Sequence, residues 1–194
     1  LEPSSESTVP QGGFLLSRDV SWRLPDLLEV WEALRDRTRL GEVARIQKGF
    51  EFKNEQELAG RQVVSDRPKS GFRKAYLSAD DDFPIWGTPV PQYIDYSGKN
   101  LRRLGADFSK LQVQIVVNYA GPQKPWRLRA TLDPDGTIVS SRFLLMRLSI
   151  SNALSPTVLW AILNSPVANA YSYSVSTKWQ TLPKEWDKFP IPQL

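Results

Sequence analysis

Residues 155–194 read SPTVLWAILNSPVANAYSYSVSTKWQTLPKEWDKFPIPQL, and the placement of serine and proline here lays out an ordered series of elements. Ser155 and Pro156 are a helix N-cap and first helical residue, because proline at that position loses only an amide that would be unpaired anyway. Ser165 and Pro166 repeat the signal, so one helix stops and a second starts at an angle to it. Leu182-Pro183-Lys184-Glu185-Trp186 predicts a third, short helical turn. Phe189-Pro190-Ile191-Pro192 then forces an extended path, since alternating prolines forbid helix.

Upstream, Leu27, Val30, Trp31 and Leu34 recur at helical spacing after Pro25, with charged residues between them, which predicts an amphipathic helix packed on a core. In Leu40–Phe50, Gly41 is expected to interrupt, Val43 and Ile46 to point inward, and Gly49 to permit a positive-φ turn. The middle of the chain reads as strands. Residues 112–118 (QVQIVVN) are β-branched and predict a largely buried strand, and 126–132 (WRLRATL) alternate and predict a half-buried one. Between them the two prolines and glycine of 119–125 demand a loop. Asp133-Pro134-Asp135-Gly136 is a turn, followed by strands over 137–140 and 142–148. No internal repeat is present. The expected class is α/β (α+β): a central mixed twisted sheet with an N-terminal helix and a C-terminal helical segment.

The chain of 194 residues, 41% hydrophobic with 11 glycines, suffices for one sizeable core. Its polar opening, LEPSSESTVPQGG, begins without Met, and is expected to be a linker over residues 1–23 of a domain cut from a longer polypeptide, with 24–194 the single domain. There is no cysteine, which suits a reducing cytoplasm and removes disulfides and thiolate metal sites. No apolar run is long enough for a transmembrane helix, so no membrane partner is expected.

Net charge is a mild +4, but the charge is unevenly distributed. From Lys99 to Arg129 the cations are Lys99, Arg102, Arg103, Lys110, Lys124, Arg127 and Arg129, against Asp107 as the one acid. Charge alone leaves two readings: a face that sits on phosphates, or solvated loops balanced in space by Asp80, Asp81 and Asp82.

With neither histidine nor cysteine, most catalytic schemes are closed. No glycine-rich phosphate loop is present. Glu51-Phe52-Lys53 matches half of a Mg²⁺-dependent nuclease site, Glu-x-Lys, with Asp36 the nearest upstream aspartate, but that residue falls in the predicted helix. Asp80-Asp81-Asp82 fits a solvated turn better than a cation site. Trp86, Tyr93, Tyr96, Trp126, Tyr171, Tyr173 and Trp179 are available as stacking platforms. Trp31, Trp126 and Trp160 read as core.

Taken in order, the closing segment, the Leu40–Phe50 "LG-acid-hydrophobic…basic-Gly-aromatic" opening and the central segments Val116–Tyr119, Lys124–Leu128 and Val139–Phe143 resemble target recognition domains. These are the DNA-reading modules of type I restriction specificity subunits and of N-6 adenine DNA methyltransferases. The resemblance spans residues 40–194. Type I subunits carry two such modules and this chain one, which favours the carboxy-terminal domain of a single-chain methyltransferase or a type IIG restriction-modification enzyme. The resemblance implies a fragment that is not itself an enzyme. Its partners would be double-stranded DNA and a methyltransferase domain in the same or a partner chain, and S-adenosylmethionine would bind in that domain, since the fragment lacks the base-gripping and cofactor motifs.

Such a module holds phosphates with Lys and Arg and reads base edges in the major groove. The candidates are Lys48, Lys53, Arg73, Lys74, Lys99, Arg102, Arg103, Lys124 and Arg127, with Asn118, Gln123 and Lys178 as polar side chains for base edges. Two rival readings remain: a protein-interaction module docking through exposed aromatics and the helical tail, and the Glu51/Lys53 nuclease.

Overall fold

A computed structural model describes residues 28–79, 83–84, 86–109, 112–120, 126–149, 154–175 and 180–192. The chain is a mixed α/β domain built on a four-stranded antiparallel sheet. Its strands are β1 (Ala44–Lys48), β7 (Gln114–Asn118), β8 (Ala130–Asp133) and β10 (Phe143–Leu148), in the spatial order β1-β10-β7-β8. A second four-stranded sheet comprises β3 (Val64–Ser65), β4 (Arg73–Tyr76), β5 (Gln92–Ile94) and β9 (Ile138–Val139), ordered β3-β5-β4-β9. Its β4–β9 pair is parallel. A two-stranded ribbon joins β2 (Glu51–Phe52) to β6 (Leu101–Arg103). Among the described residues the expected mixed sheet is thus divided into two sheets and a ribbon, with β4–β9 and the isolated Phe50–Ser140 bridge pairing in parallel.

Alternation along the central strands explains the layering, because successive side chains point to opposite faces. Ile115, Val117, Leu144, Met146 and Ala130 join a core with the helices, whereas Val116, Phe143 and Leu145 join a second core with Ile94, Ala75 and Tyr76. The first sheet is therefore covered on both faces, by helices on one and by the second sheet on the other.

The closing segment folds as its residues dictate. Ser155 Oγ accepts the Val158 amide at 3.2 Å and starts the helix Pro156–Leu163. Ser165 Oγ accepts the Ala168 amide at 3.2 Å ahead of the helix Pro166–Val175. A single turn, Pro183–Trp186, follows. Phe189–Pro192 runs extended alongside the start of the domain. There the amides of Leu40 and Ile191 donate to Phe189 O and Thr38 O, each at 2.8 Å. Trp31, from the helix Leu28–Ala33, and the rings of Tyr171, Trp186 and Phe189 pack edge-on or tilted, with centroids 5.0–6.0 Å apart. The two ends of the described chain thus share one aromatic core.

Three expectations are corrected. Gly41 lies inside a short helical turn, Leu40–Val43, and a Cβ there would sit 2.9 Å from Asp187 Cβ, so glycine lets the tail approach. Gly49 does not have positive φ. Its role is close packing, because a Cβ would fall 2.1 Å from Val139 O and 2.2 Å from Ser140 O. Residues 126–132 are not half buried. Arg127, Leu128, Arg129, Ala130 and Thr131 are all buried, and only Ala130–Asp133 pairs as a strand. Alternation there marks two covered faces rather than one face open to water.

Gly49→Ala should destabilise the domain by about 2–3 kcal/mol through overpacking against fixed backbone. Gly98→Ala, where nothing lies within 4 Å of the new Cβ, should be close to neutral. Urea unfolding midpoints compare the two.

Candidate nucleic-acid interface

β1 and β7 run one way and β10 and β8 the other, so one end of the main sheet gathers Lys48, Phe143, Asn118 and the residues leading into β8. At this end Lys48 Nζ lies 3.6 Å from the centroid of the Tyr119 ring. Burial lowers the Lys48 pKa below its ordinary value; the charges of Arg103 and Arg142 push it the same way, and Glu51 opposes them. Lys48 O accepts the Ala106 amide at 3.1 Å, which ties the chain beyond β6 to the end of β1. The β2–β6 ribbon places Glu51 opposite Arg103. The Glu51 carboxylate stands 3.2 Å from Arg103 and 3.8 Å from Arg102. Glu51 thus pairs with the two ribbon arginines, while the charges of Arg103, Arg142 and Glu51 all act on Lys48. Both arginines of the ribbon are largely exposed, so these ion pairs are weak and exchangeable.

Lys53 and Lys99 flank the same ribbon: the Lys53 amide donates to Asn100 O at 3.0 Å, and Lys99 lies in the 3-10 turn Gly98–Asn100 just before β6. Arg73 and Lys74 lie elsewhere, on β4 of the second sheet. Arg73 donates to Phe108 O at 3.2 Å and covers the Tyr96 ring, while Lys74 pairs with Asp135 at 3.7 Å. Gln123, Lys124, Lys178, Trp179 and Asp80–Asp82 lie outside the described residues.

Two candidates have structural duties. The Asn118 side chain is buried; it donates to Arg127 O at 2.8 Å and Ala120 O at 3.1 Å and accepts the Arg129 amide at 2.7 Å. Arg127 is 4% exposed, and its guanidinium lies over the Tyr173 ring at 5.0 Å. Burial lowers its pKa, and Tyr173 opposes that shift. Asn169 Oδ1 accepts the amides of Arg127 and Leu128, each at 3.1 Å, and Asn164 Oδ1 accepts that of Ala130 at 3.2 Å. Three asparagines therefore replace the strand ladder that the segment leading into β8 lacks.

Arg142, absent from the sequence candidates, belongs to the cluster. Its carbonyl accepts the Tyr119 amide at 2.8 Å in the turn before β10. The Ser-Ser-Arg-Phe stretch marks that turn, but its closeness to Lys48 depends on strand pairing. Among the described residues no group of three carboxylate, His or Cys side chains that could hold a metal ion occurs. Among the described residues, no helix is long and apolar enough to cross a membrane.

Asn118→Ala leaves the Arg129 amide and Arg127 carbonyl without their buried partner, and should cost about 2–4 kcal/mol of stability in urea unfolding. In an NMR titration Lys48 should deprotonate below the usual lysine range, and Arg103→Ala should move it upward. That substitution removes a neighbouring positive charge and frees Glu51 to stabilise the ammonium.

No protein-family model matches this chain, and no curated protein matches it. Among solved structures it is similar to the HsdS subunit from Thermoanaerobacter tengcongensis, with a TM-score of 0.46 and 10% sequence identity over 78% of this chain. This chain spans 31% of the length of that subunit.

Proposed function

We propose that this chain is a DNA target recognition module of a restriction-modification system, non-catalytic by itself, that holds duplex DNA for a partner domain. The observation that carries this reading is the gathering of cations at one end of the main sheet: Arg102 and Arg103 pair with Glu51, and the charges of Arg103 and Arg142 act on Lys48. Cations gathered on a rigid scaffold suit phosphates, which supply affinity and register. Lys48 is already partly stripped of water, so handing its charge to a phosphate gives up less hydration than for a free lysine. The resemblance of residues 40–194 to target recognition domains supports the same reading and supplies its finer content. On that basis the parent is an N-6 adenine methyltransferase or type IIG enzyme of the cytoplasm. A methyltransferase domain in the same or a partner chain would bind S-adenosylmethionine and flip the adenine.

Within this reading Lys48, Arg102, Arg103 and Arg142 contact phosphates, with Lys53 and Lys99 extending the track along the ribbon. Lys124 remains a candidate for DNA contact, and Gln123 and Lys178 remain candidates for base edges. Asn118 and Arg127 are buried and hold the scaffold, so this reading gives neither of them a DNA contact. Docking through the helical tail is less favoured, because Leu159, Leu163, Ala168, Tyr171 and Trp186 already lie in the core.

Fluorescence anisotropy with a labelled duplex tests the assignment. Lys48→Ala with Arg103→Ala should weaken binding about equally for all sequences, and should lower the salt slope by about one unit per lost contact. Glu51→Gln should tighten binding, since it removes the carboxylate that competes with phosphate. If the chain were instead a nuclease, Glu51→Gln would abolish Mg²⁺-dependent cleavage. Unchanged affinity in both variants would remove this surface from the interface.

A further inference from the structure

The opposite end of the same sheet carries a second concentration of positive charge, separate from the Lys48 cluster. Arg45 on β1 and Arg147 on β10 are direct cross-strand partners, and like charges in that relation repel. They line a groove of about 840 Å³ together with Gln47, Gln112 and Asp107. Among the described residues neither arginine forms an ion pair. Arg147 Nη1 donates to Asp107 at its backbone carbonyl, 2.6 Å away, and the Asp107 carboxylate accepts the Ser109 amide at 2.8 Å. Two guanidinium groups therefore face the groove with one acid in its lining.

Arg147 is also fixed in place. Its Nε and Nη2 donate to Gln114 Oε1 at 3.2 and 2.9 Å. The Gln114 amide donates in turn to buried Asp133 at 2.8 Å and to Thr137 O at 2.7 Å, which sets the direction of its carbonyl oxygen. Three of the five guanidinium donors are thereby used and two remain. Pro156, the first residue of an eight-residue helix, lines the groove as well, and brings the positive end of that helix dipole to it.

We propose that this groove binds a phosphate group, with the immobilised Arg147 guanidinium and the exposed Arg45 as its two grips. Guanidinium matches phosphate in charge and in fork geometry, and a pre-oriented Arg147 loses little freedom on binding. The volume admits a ligand of mononucleotide size. The phosphate comes either from a small phosphomonoester or from a DNA backbone running past the groove.

The test follows the Nε–Hε NMR signals of Arg45 and Arg147 in the full chain during titration with inorganic phosphate. Both signals should shift and saturate, and Arg45→Ala, at an exposed site, should weaken binding about tenfold. Arg147→Lys, which keeps the charge and loses the fork, should also weaken it. Tighter binding of adenosine monophosphate, with phosphate left in place by a DNA duplex, identifies a small phosphomonoester. Displacement by the duplex, with Arg45→Ala lowering duplex affinity, identifies the backbone. Signals that stay still, or shift with equal affinity in Arg45→Ala, overturn the proposal. The result is independent of the Lys48 reading, since Lys48→Ala with Arg103→Ala leaves this groove untouched.

Discussion

The structure depends on the strand Gln114–Asn118 being buried on both faces while its two ends are polar. Ile115 and Val117 face the helical core and Val116 faces the second sheet, so the middle of the strand can carry no charge. Its two polar residues become anchors. Asn118 takes up backbone groups at Ala120, Arg127 and Arg129. Gln114 links Asp133 and Thr137 to Arg147. One strand thereby organises both ends of the sheet, with a basic cluster at one and a basic groove at the other.

The magnitudes show how much rests on these side-chain amides. Asn118, Asn164 and Asn169 together satisfy the amides of Arg127, Leu128, Arg129 and Ala130. Leaving one buried donor unpaired costs about 1–3 kcal/mol. Losing all of these partners would therefore rival the roughly 5–15 kcal/mol of net stability typical of a whole domain. The exposed ion pairs of Glu51 with Arg102 and Arg103 are worth about 0–1 kcal/mol each, so they serve poorly as braces. They are better suited to being exchanged for an anion. The proposed interface thus sits on weak, solvated contacts held by a scaffold of strong, buried ones.

Much of the fold was legible because its signals are local. Ser155-Pro156, Ser165-Pro166 and the Phe189–Pro192 exit announce their elements through capping and proline chemistry that needs no tertiary context. The misreadings all involve long-range contact. Residues 126–132 alternate, yet the apparent polar face is buried by Asn118, Tyr173 and Phe83, whose carbonyl accepts from Arg129. The requirement at Gly49 comes from the backbone of Val139 and Ser140, about ninety residues away. In the candidate site, the run of cations from Lys99 to Arg103 was visible, but the closeness of Arg103 and Arg142 to Lys48 arises from strand pairing. Asn118 has the chemistry of a base reader and the position of a buried anchor, and burial decides between them. Arg45 and Arg147 lie a hundred residues apart in sequence, and only the β1–β10 register brings them together.

The central claim is that the cations at the Lys48 end of the sheet bind duplex phosphates. The most direct test is the dependence of duplex affinity on salt for the unaltered chain. Contacts from Lys48, Arg102, Arg103 and Arg142 to phosphates at about 0.9 per contact predict that log K falls against log salt with a slope of roughly 3–4. Binding whose strength is flat with salt, or no measurable binding at low salt, would contradict the account.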